Sequence, residues 1–432
     1  MHHKPLSLHI TTLGCSKNLF DSERLAAALN SRYRLSHSTD LQTADIVVLN
    51  TCGFIDEAKR ESIQAIFDLI EAKKAGHIRA LYVVGCLVNR DPQTLRQELP
   101  EVDGFFPHGE WEALIETLQG DLRKYLLGER QRLGYPHHAY LKISEGCNRK
   151  CSFCAIPLMR GPHVSRPLED ILNEAQRLIA SGVKEISLIA QDLTFYGIDL
   201  YGKRQLPLLL EKLATLPGIG WIRLHYAYPA GFPLEVLPII RDYEAICKYL
   251  DMPLQHISDR ILKAMRRGLS KKRTIELIEK IRQEVPGIVL RSTFIVGFPG
   301  ETDEDFQELL DFLAAYRIER VGAFLYSHEE GTAAYKLKDD VPRRIKKARY
   351  EALMTQQQAI SLAFNQSLVG KILPVIVDER IGDYVIARTP YDALEVDNLV
   401  HVADPERRLL VGEFYRVRVV DAAEYDLWAK AV

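Results

Sequence analysis

The chain has no long hydrophobic run: nowhere in its 432 residues is there a stretch of the roughly 18 uncharged apolar residues that a membrane-spanning helix needs. Its start, Met1-His2-His3-Lys4-Pro5, leads straight into a strand-like segment without the apolar core of a secretory signal, so a cytoplasmic location with no membrane partner is expected. Charge of one sign is missing too. Lys and Arg number 56 against 58 Asp and Glu, and a net charge of −2 gives no global basic field to attract nucleic acid. Separate domains can still differ in sign. Cysteine is scarce and odd in number, seven in all, which argues against a disulfide framework in a large cytoplasmic chain. What is present is an ordinary globular balance, 47% hydrophobic and 26% charged, enough apolar surface for more than one core. The length predicts about two to four domains.

Residues 1–120 read as strand-then-helix units. Strand patterns at Leu6–Leu13, Asp45–Asn50 and Ala80–Val84 alternate with helical ones. The first helix is expected from about Asn18 to Ser31, with Asn18 as its cap. The second carries Ile63, Ile66, Phe67 and Ile70 on one face and ends near Gly76; further helical pattern covers 92–99 and 110–119. Such alternation argues for a parallel sheet covered on both faces. Residues 121–138 are polar and basic and read as a linker. From 139 to 341 the alternation resumes, with strands near 140–145, 184–190, 221–227, 247–252, 288–296 and 319–326. Helical patterns between them include 258–285, broken near Leu269-Ser270. Six periods fit either an incomplete barrel or a doubly wound sheet, and periodicity does not choose between them. A polar helix at 342–367 leads into residues 368–432. There the strand patterns Ile372–Val377, Tyr384–Ala387, Val400–Val402 and Phe414–Val420 predict a small all-β, barrel-like module.

Three cysteines stand together at the end of the first strand of the central domain: Cys147-Asn148-Arg149-Lys150-Cys151-Ser152-Phe153-Cys154, a C-x3-C-x2-C run. Three thiolates on one tight loop can hold three irons of a cubane and leave the fourth open to a small chelating molecule. A structural zinc site is the competing reading, but it requires four closed ligands, commonly in C-x2-C pairs. The segment Glu145 to Pro157 resembles the signature of radical S-adenosylmethionine (SAM) enzymes. The resemblance implies that Cys147, Cys151 and Cys154 bind a [4Fe-4S] cluster whose open iron takes the amino and carboxylate groups of SAM. An electron then cleaves SAM to methionine and a 5′-deoxyadenosyl radical. It also implies that Phe153 lies near the adenine.

Cys15, Cys52 and Cys86 are farther apart, at intervals of 37 and 34 positions, yet each ends a predicted strand and each has a glycine neighbour, Gly14, Gly53 or Gly85. Carboxyl ends of parallel strands share one sheet edge, so three such thiols can converge on a second cluster. Three buried structural cysteines are the plainer alternative. Cys247, inside a barrel strand, reads as a core residue.

The paired triads together with the C-terminal β-module resemble the methylthiotransferases over essentially the whole chain. That resemblance implies an α/β architecture in three parts. An N-terminal parallel α/β domain would bind an auxiliary, sulfur-handling [4Fe-4S] cluster through Cys15, Cys52 and Cys86. An incomplete (β/α)6 radical SAM barrel would follow, and then a TRAM-like barrel for substrate binding. SAM would be both methyl donor and radical source, and an electron donor such as flavodoxin would reduce the clusters. Phe294 to Glu301 joins a strand to a helix, and the resemblance places Gly297 and Glu301 at the nucleoside. Gln191 and Gln255 end strands and are candidates for SAM polar groups, with Arg291 a candidate for the methionine carboxylate. Each could equally be a satisfied structural hydrogen-bonding group.

The family divides between enzymes modifying tRNA adenosines (the MiaB type) and a RimO type modifying an aspartate of small-subunit ribosomal protein 12. The segment Thr12 to Glu23, with Gly14-Cys15-Ser16-Lys17-Asn18, resembles the second type. The tRNA enzymes usually carry Gly-Cys-Gln-Met-Asn there. Residues 367–432 hold eight Lys and Arg against twelve Asp and Glu. An acidic module repels RNA and complements a basic ribosomal protein. The expected substrate is therefore the ribosomal protein, with the β-carbon of an aspartate as acceptor and no tRNA binding. A MiaB-like tRNA methylthiotransferase is the alternative enzyme, and a non-catalytic iron–sulfur or zinc scaffold the alternative outside enzymes.

Overall fold

The computed structural model describes residues 5–432, so the Met1–Lys4 start lies outside it. Residues 7–107 build a five-stranded parallel sheet from strands β1 (Ser7–Thr12), β2 (Arg34–Ser38), β3 (Ile46–Thr51), β4 (Ala80–Gly85) and β5 (Gly104–Pro107), in the order β2-β1-β3-β4-β5. All six residues of β3 are buried, as a central strand covered on both faces requires. Leu8, Ile10 and Val48 pack with Leu25 and Leu114 on one side. Val47 and Leu49 pack with Ile66 and Leu69 on the other. Two strands lack a sequence signal. The Arg-Leu-Ser-His-Ser run of β2 is polar and holds its place through its parallel register with β1; β5 is only four residues long. Phe67 departs from the expected apolar face and is 48% exposed, because the buried stripe of its helix (Asp56–Lys74) runs through Ser62, Ala65, Ile66, Leu69 and Ile70. The first helix spans Ser16–Leu29 with Cys15, not Asn18, at its cap. Asn18 sits inside the first turn, and its amide donates back to the carbonyls of Leu13 (2.7 Å) and Thr51 (3.1 Å).

The stretch 121–137 forms a short helix, Leu122–Leu126, and then a packed strap. Arg130 is nearly enclosed there. It holds Glu23 of the N-terminal domain and Glu174 of the central domain, the latter at 2.6 Å, and lies over the Phe20 ring. A basic composition thus hides an interdomain tie.

The central sheet comprises β6 (His138–Lys142), β9 (Glu185–Ile189), β10 (Trp221–Leu224), β11 (Ile246–Asp251), β12 (Val289–Val296) and β13 (Arg320–Leu325); a two-residue ladder of β7 (Ser144–Glu145) and β8 (Val164–Ser165) lies beside it. Its order, β6-β9-β10-β11-β12-β13, is that of the sequence, and every pair is parallel. Each crossover therefore steps in the same direction. That is the winding of a barrel, not of a doubly wound sheet, and it stops at six strands. The expected break near Leu269-Ser270 separates helices Asp259–Ala264 and Lys271–Glu284, and Ser270 caps the second.

Helix Arg343–Gln366 runs to a closed five-stranded barrel of β14 (Ile372–Ile381), β15 (Tyr384–Arg388), β16 (Leu399–Ala403), β17 (Phe414–Ala422) and β18 (Asp426–Ala431). The last strand lies beyond the four strand patterns of this segment and completes closure by pairing parallel to β16 and antiparallel to β17. This module plugs the amino-terminal end of the central strands. Trp221 and Phe414 meet edge to face at 4.9 Å, and Gly220 leaves the room: a β-carbon there would lie 2.3 Å from the Phe414 ring. Cys247 is core, packed with Trp221, Tyr249 and Ile376. Among the described residues no helix is long and apolar enough to cross a membrane.

Candidate functional site

The N-terminal domain covers the opposite end of the barrel, where the central strands terminate. Beyond β7 the chain turns sharply at Gly146 (φ +74), where a β-carbon would fall 2.0 Å from the Pro162 carbonyl. This turn starts the loop of Cys147, Cys151 and Cys154, which is pinned on both flanks. The Cys147 amide donates to Gly161 (3.1 Å), the Ser152 amide to Met265 (3.0 Å), and the Ala334 amide to Ser152 (2.7 Å). Donors point at the sulfurs: the Arg149 amide at Cys147 (3.4 Å) and Arg267 Nη1 at Cys151 (3.1 Å). Burial pushes the Cys147 thiol up to about 11 and the Cys154 thiol to about 12. Metal loading here therefore releases protons.

The second triad converges as strand topology demands. Cys15 follows β1, Cys52 follows β3, and Cys86 follows β4. Glycines set their spacing. A β-carbon on Gly14 would lie 2.7 Å from Cys52 Cβ, and one on Gly53 would lie 2.9 Å from the Cys86 carbonyl. Gly14 and Gly85 adopt φ of +88 and +108, the left-handed region that glycine tolerates. Burial first, then the neighbouring Cys15, raises the Cys52 thiol to about 12. Burial also raises Cys86, which the Arg160 guanidinium opposes by charge and hydrogen bond. Cys247 is buried elsewhere, so neither triad has a fourth cysteine. All-sulfur donor sets of three, with cationic and N–H groups aimed at them, fit iron–sulfur clusters with one open iron better than a closed zinc site.

The two cysteine loops are tied together by a buried ionic bridge with no local sequence signal. Arg160, six residues after Cys154, donates to Glu145 (3.0 Å), Asp21 (3.3 Å) and Asn18 (2.6 Å). Lys142 holds the same two carboxylates, at 2.7 and 2.5 Å. A second tie joins Glu329, after β13, to Lys59 (2.9 Å) and Arg90 (3.1 Å) of the N-terminal domain. The partners in both ties are far apart in sequence, so only the folded chain shows them.

The proposed SAM contacts divide into two groups. Gln191 donates to Glu145 (2.7 Å), and its buried Oε1 has no partner. Gln255 Oε1 is likewise buried and unpartnered, and the residue adopts φ +75, a strained conformation for glutamine. Phe153 packs beside Phe298, Met265 and Tyr326. The others are committed to protein. Arg291 pairs with Asp251 (3.2 Å) and with Asp397 of the C-terminal module (3.3 Å), and so differs from the expected carboxylate receptor. Glu301 accepts from the Gly297 amide (2.8 Å) and from Arg349 (2.8 Å), so it shapes the turn. Gly297 is needed because a β-carbon would lie 2.3 Å from Lys346 Cγ.

The arrangement has counterparts. Residues 141–313 match the radical SAM superfamily, residues 7–107 the uncharacterized protein family UPF0004, and residues 369–432 the TRAM domain. Among solved structures, the radical SAM methyltransferase TsrM from Kitasatospora setae shares the fold, with a TM-score of 0.58 at 14% identity over 82% of this chain and 89% of that one. Two curated proteins, each named ribosomal protein uS12 methylthiotransferase RimO, are 49% identical to this chain. The one from Phocaeicola vulgatus aligns over 98% of both chains, and the one from Chloroherpeton thalassium over 100% of both. Identity of that order, sustained from end to end across all three domains, leaves no part of the molecule outside the likeness, and the chain belongs to the RimO family of ribosomal protein uS12 methylthiotransferases.

Proposed function

We propose that the chain adds a methylthio group to the β-carbon of an aspartate of ribosomal protein uS12, using SAM and two [4Fe-4S] clusters. The observation that carries this reading is the pairing of two three-cysteine loops at one barrel mouth, bridged through Arg160. Cys147, Cys151 and Cys154 would hold the cluster that engages SAM, and Cys15, Cys52 and Cys86 the one that handles sulfur. When bound, these groups supply one-electron reduction, a hydrogen-abstracting radical and a methylated sulfur, chemistry that a non-acidic C–H bond requires.

The chain's own residues position and enclose. Arg160 and Lys142 fix the two loops against each other. The orphaned carbonyls of Gln191 and Gln255, with Phe153, offer SAM polar and aromatic contacts. The C-terminal module, with twelve acidic and eight basic residues, suits a basic ribosomal protein better than RNA. The names of the relatives favour the same substrate over tRNA. A cytoplasmic reductant of the flavodoxin kind suits the low-potential chemistry.

The test is anaerobic reconstitution with SAM, sulfide, a reductant and either purified uS12 or tRNA, followed by mass spectrometry. A methylthio adduct on an aspartate of uS12 is the expected result. An adduct on tRNA alone overturns the substrate, and absence of 5′-deoxyadenosine overturns the chemistry.

A further inference from the structure

Buried cations at the barrel mouth have carboxylate partners, with two exceptions: Arg267, which donates instead to Cys151 Sγ and the Pro253 carbonyl, and Lys17. Arg130 holds Glu23 and Glu174, Lys142 and Arg160 share Asp21 and Glu145, and Arg149 holds Asp192 (2.7 Å). Lys17 is only 6% exposed, yet among the described residues no carboxylate lies within 4.0 Å of its ammonium, and it donates no hydrogen bond. Its Nζ rests 3.1 Å from the centroid of the Tyr226 ring. Tyr226 follows β10 and adopts φ +63, an unfavourable conformation for tyrosine, held by its amide hydrogen bond to Asp251 (3.2 Å). Strain is thus spent on placing an aromatic face under an ammonium. A ring face attracts a cation but does not neutralise it, so this largely enclosed lysine carries a charge that no carboxylate balances.

The missing partner of Lys17 is an anion. The unpartnered Nε2 of His225, next to Tyr226 after β10, can donate to an anion held there, whereas the Oε1 atoms of Gln191 and Gln255 only accept hydrogen bonds and remain for SAM. No acidic residue occupies the first turn of helix Ser16–Leu29, so the positive end of its dipole adds to the Lys17 charge. Lys17 lies two residues after Cys15, placing this charge beside the sulfur-handling triad. Resting on the function proposed above, we infer that Lys17 receives the side-chain carboxylate of the substrate aspartate. An anchored carboxylate leaves the β-carbon two bonds from the paired oxygen, so Lys17 both selects aspartate and fixes the carbon that reacts.

The test compares wild type, Lys17→Met, which keeps the chain length without the charge, and Lys17→Arg, all as iron-loaded enzymes. Each is titrated by fluorescence anisotropy with a peptide carrying the target aspartate of uS12 and with the same peptide carrying asparagine. Iron content and peptide-free cleavage of SAM serve as controls. Wild type is expected to prefer the aspartate peptide by at least about tenfold. Lys17→Met should bind both peptides within about twofold of each other while still cleaving SAM, and Lys17→Arg should recover most of the preference. If Lys17→Met fails to load iron, Lys17→Gln is read in its place. Retained aspartate preference in the neutral variant overturns the inference. So does loss of SAM binding with that preference intact, which would give Lys17 to SAM instead. A wild type that prefers neither peptide and methylthiolates only tRNA overturns the inference and the proposed function together, which separates the two failures.

Discussion

At the amino-terminal end of the barrel strands, Glu185 accepts from Arg388 (2.6 and 3.1 Å) and Arg223 (2.9 Å), while Asp378 takes Arg388 (2.7 Å) and His137 (2.8 Å). At the carboxyl end, Asp21, Glu145, Lys142 and Arg160 form a comparable cluster, but Lys17 and the carbonyls of Gln191 and Gln255 around it have no counterpart. Buried charge does two jobs in one domain. Matched charge closes the lower end and welds the C-terminal module to it. Partly matched charge at the upper end is what a site awaiting ligands requires. The comparison can be broken in several ways.

The largest effect is expected from the six cysteines of the two triads, which belong only to the upper end. Alanine at Cys147, Cys151 or Cys154 should abolish cleavage of SAM to 5′-deoxyadenosine. Alanine at Cys15, Cys52 or Cys86 should leave cleavage in place and remove sulfur insertion, as read by product chromatography and substrate mass. Equal loss of cleavage in both sets would end the division of labour between the triads.

The two triads also show what a sequence can and cannot carry. Cys147, Cys151 and Cys154 are legible because one loop holds them all. Cys15, Cys52 and Cys86 are legible because parallel strands bring their carboxyl ends to one edge, so alternation alone predicts convergence. Strand β2 was not legible: its polar residues are strand only because β1 offers a register. Arg291 reads as a ligand group because a charge inside a strand looks unpaired in sequence, and Glu301 because the family resemblance places its turn at the nucleoside. Their partners, Asp397 and Arg349, arrive from 106 and 48 residues away. The strap at 121–137 misled for the same reason: Arg130 is buried by acids from two other elements.

Next in size is the lower weld. Arg388→Ala leaves Glu185 and Asp378 buried with reduced compensation, and about 3–5 kcal/mol of stability should be lost. Chemical denaturation, together with protease release of residues 368–432, would measure it. Arg388→Met, which fills the volume, should lose as much if charge compensation is what matters.

A smaller loss is expected at the upper end. Arg160→Ala still leaves Lys142 on both Asp21 and Glu145, so about 1–3 kcal/mol should go, chiefly from the lost hydrogen bonds to Asn18 and the carboxylates. The clearer sign should be faster proteolysis within 121–137 as the N-terminal domain loosens. If Arg160→Ala destabilises as much as Arg388→Ala, the contrast between the two ends fails.

The mildest effect is a pH dependence that belongs to the lower end. His138 is enclosed beside Tyr140 (4.7 Å between ring centroids) and Ser187 (3.0 Å), facing Glu185, Arg388, Asp378 and His137. Burial lowers its pKa to about 3, against the pull of Glu185 and Asp378 and with the push of Arg388 and His137. The folded state therefore keeps His138 neutral where the unfolded chain would protonate it. Above about pH 6.5 both states are neutral and the group contributes no slope. Below that, the unfolded state binds the extra proton, and stability should fall by about 1.4 kcal/mol per pH unit until folded His138 also titrates near 3. Glu185 acts in the same direction but lower down. Burial alone would raise its pKa, yet Arg388 and Arg223 hold it well below the usual carboxylate range, so its contribution is lost only under stronger acid. The window from pH 6.5 to 5 thus separates histidines from Glu185, but burial also lowers His9, His37, His163 and His225, so the share of His138 is read as a difference between wild type and variant. His138→Gln should reduce the slope there by about 1.4 kcal/mol per pH unit in denaturation curves recorded at each pH, leaving the slope of the other buried histidines in place. A slope unchanged in that variant would place the titrating group elsewhere and remove the pH sensitivity from the lower weld.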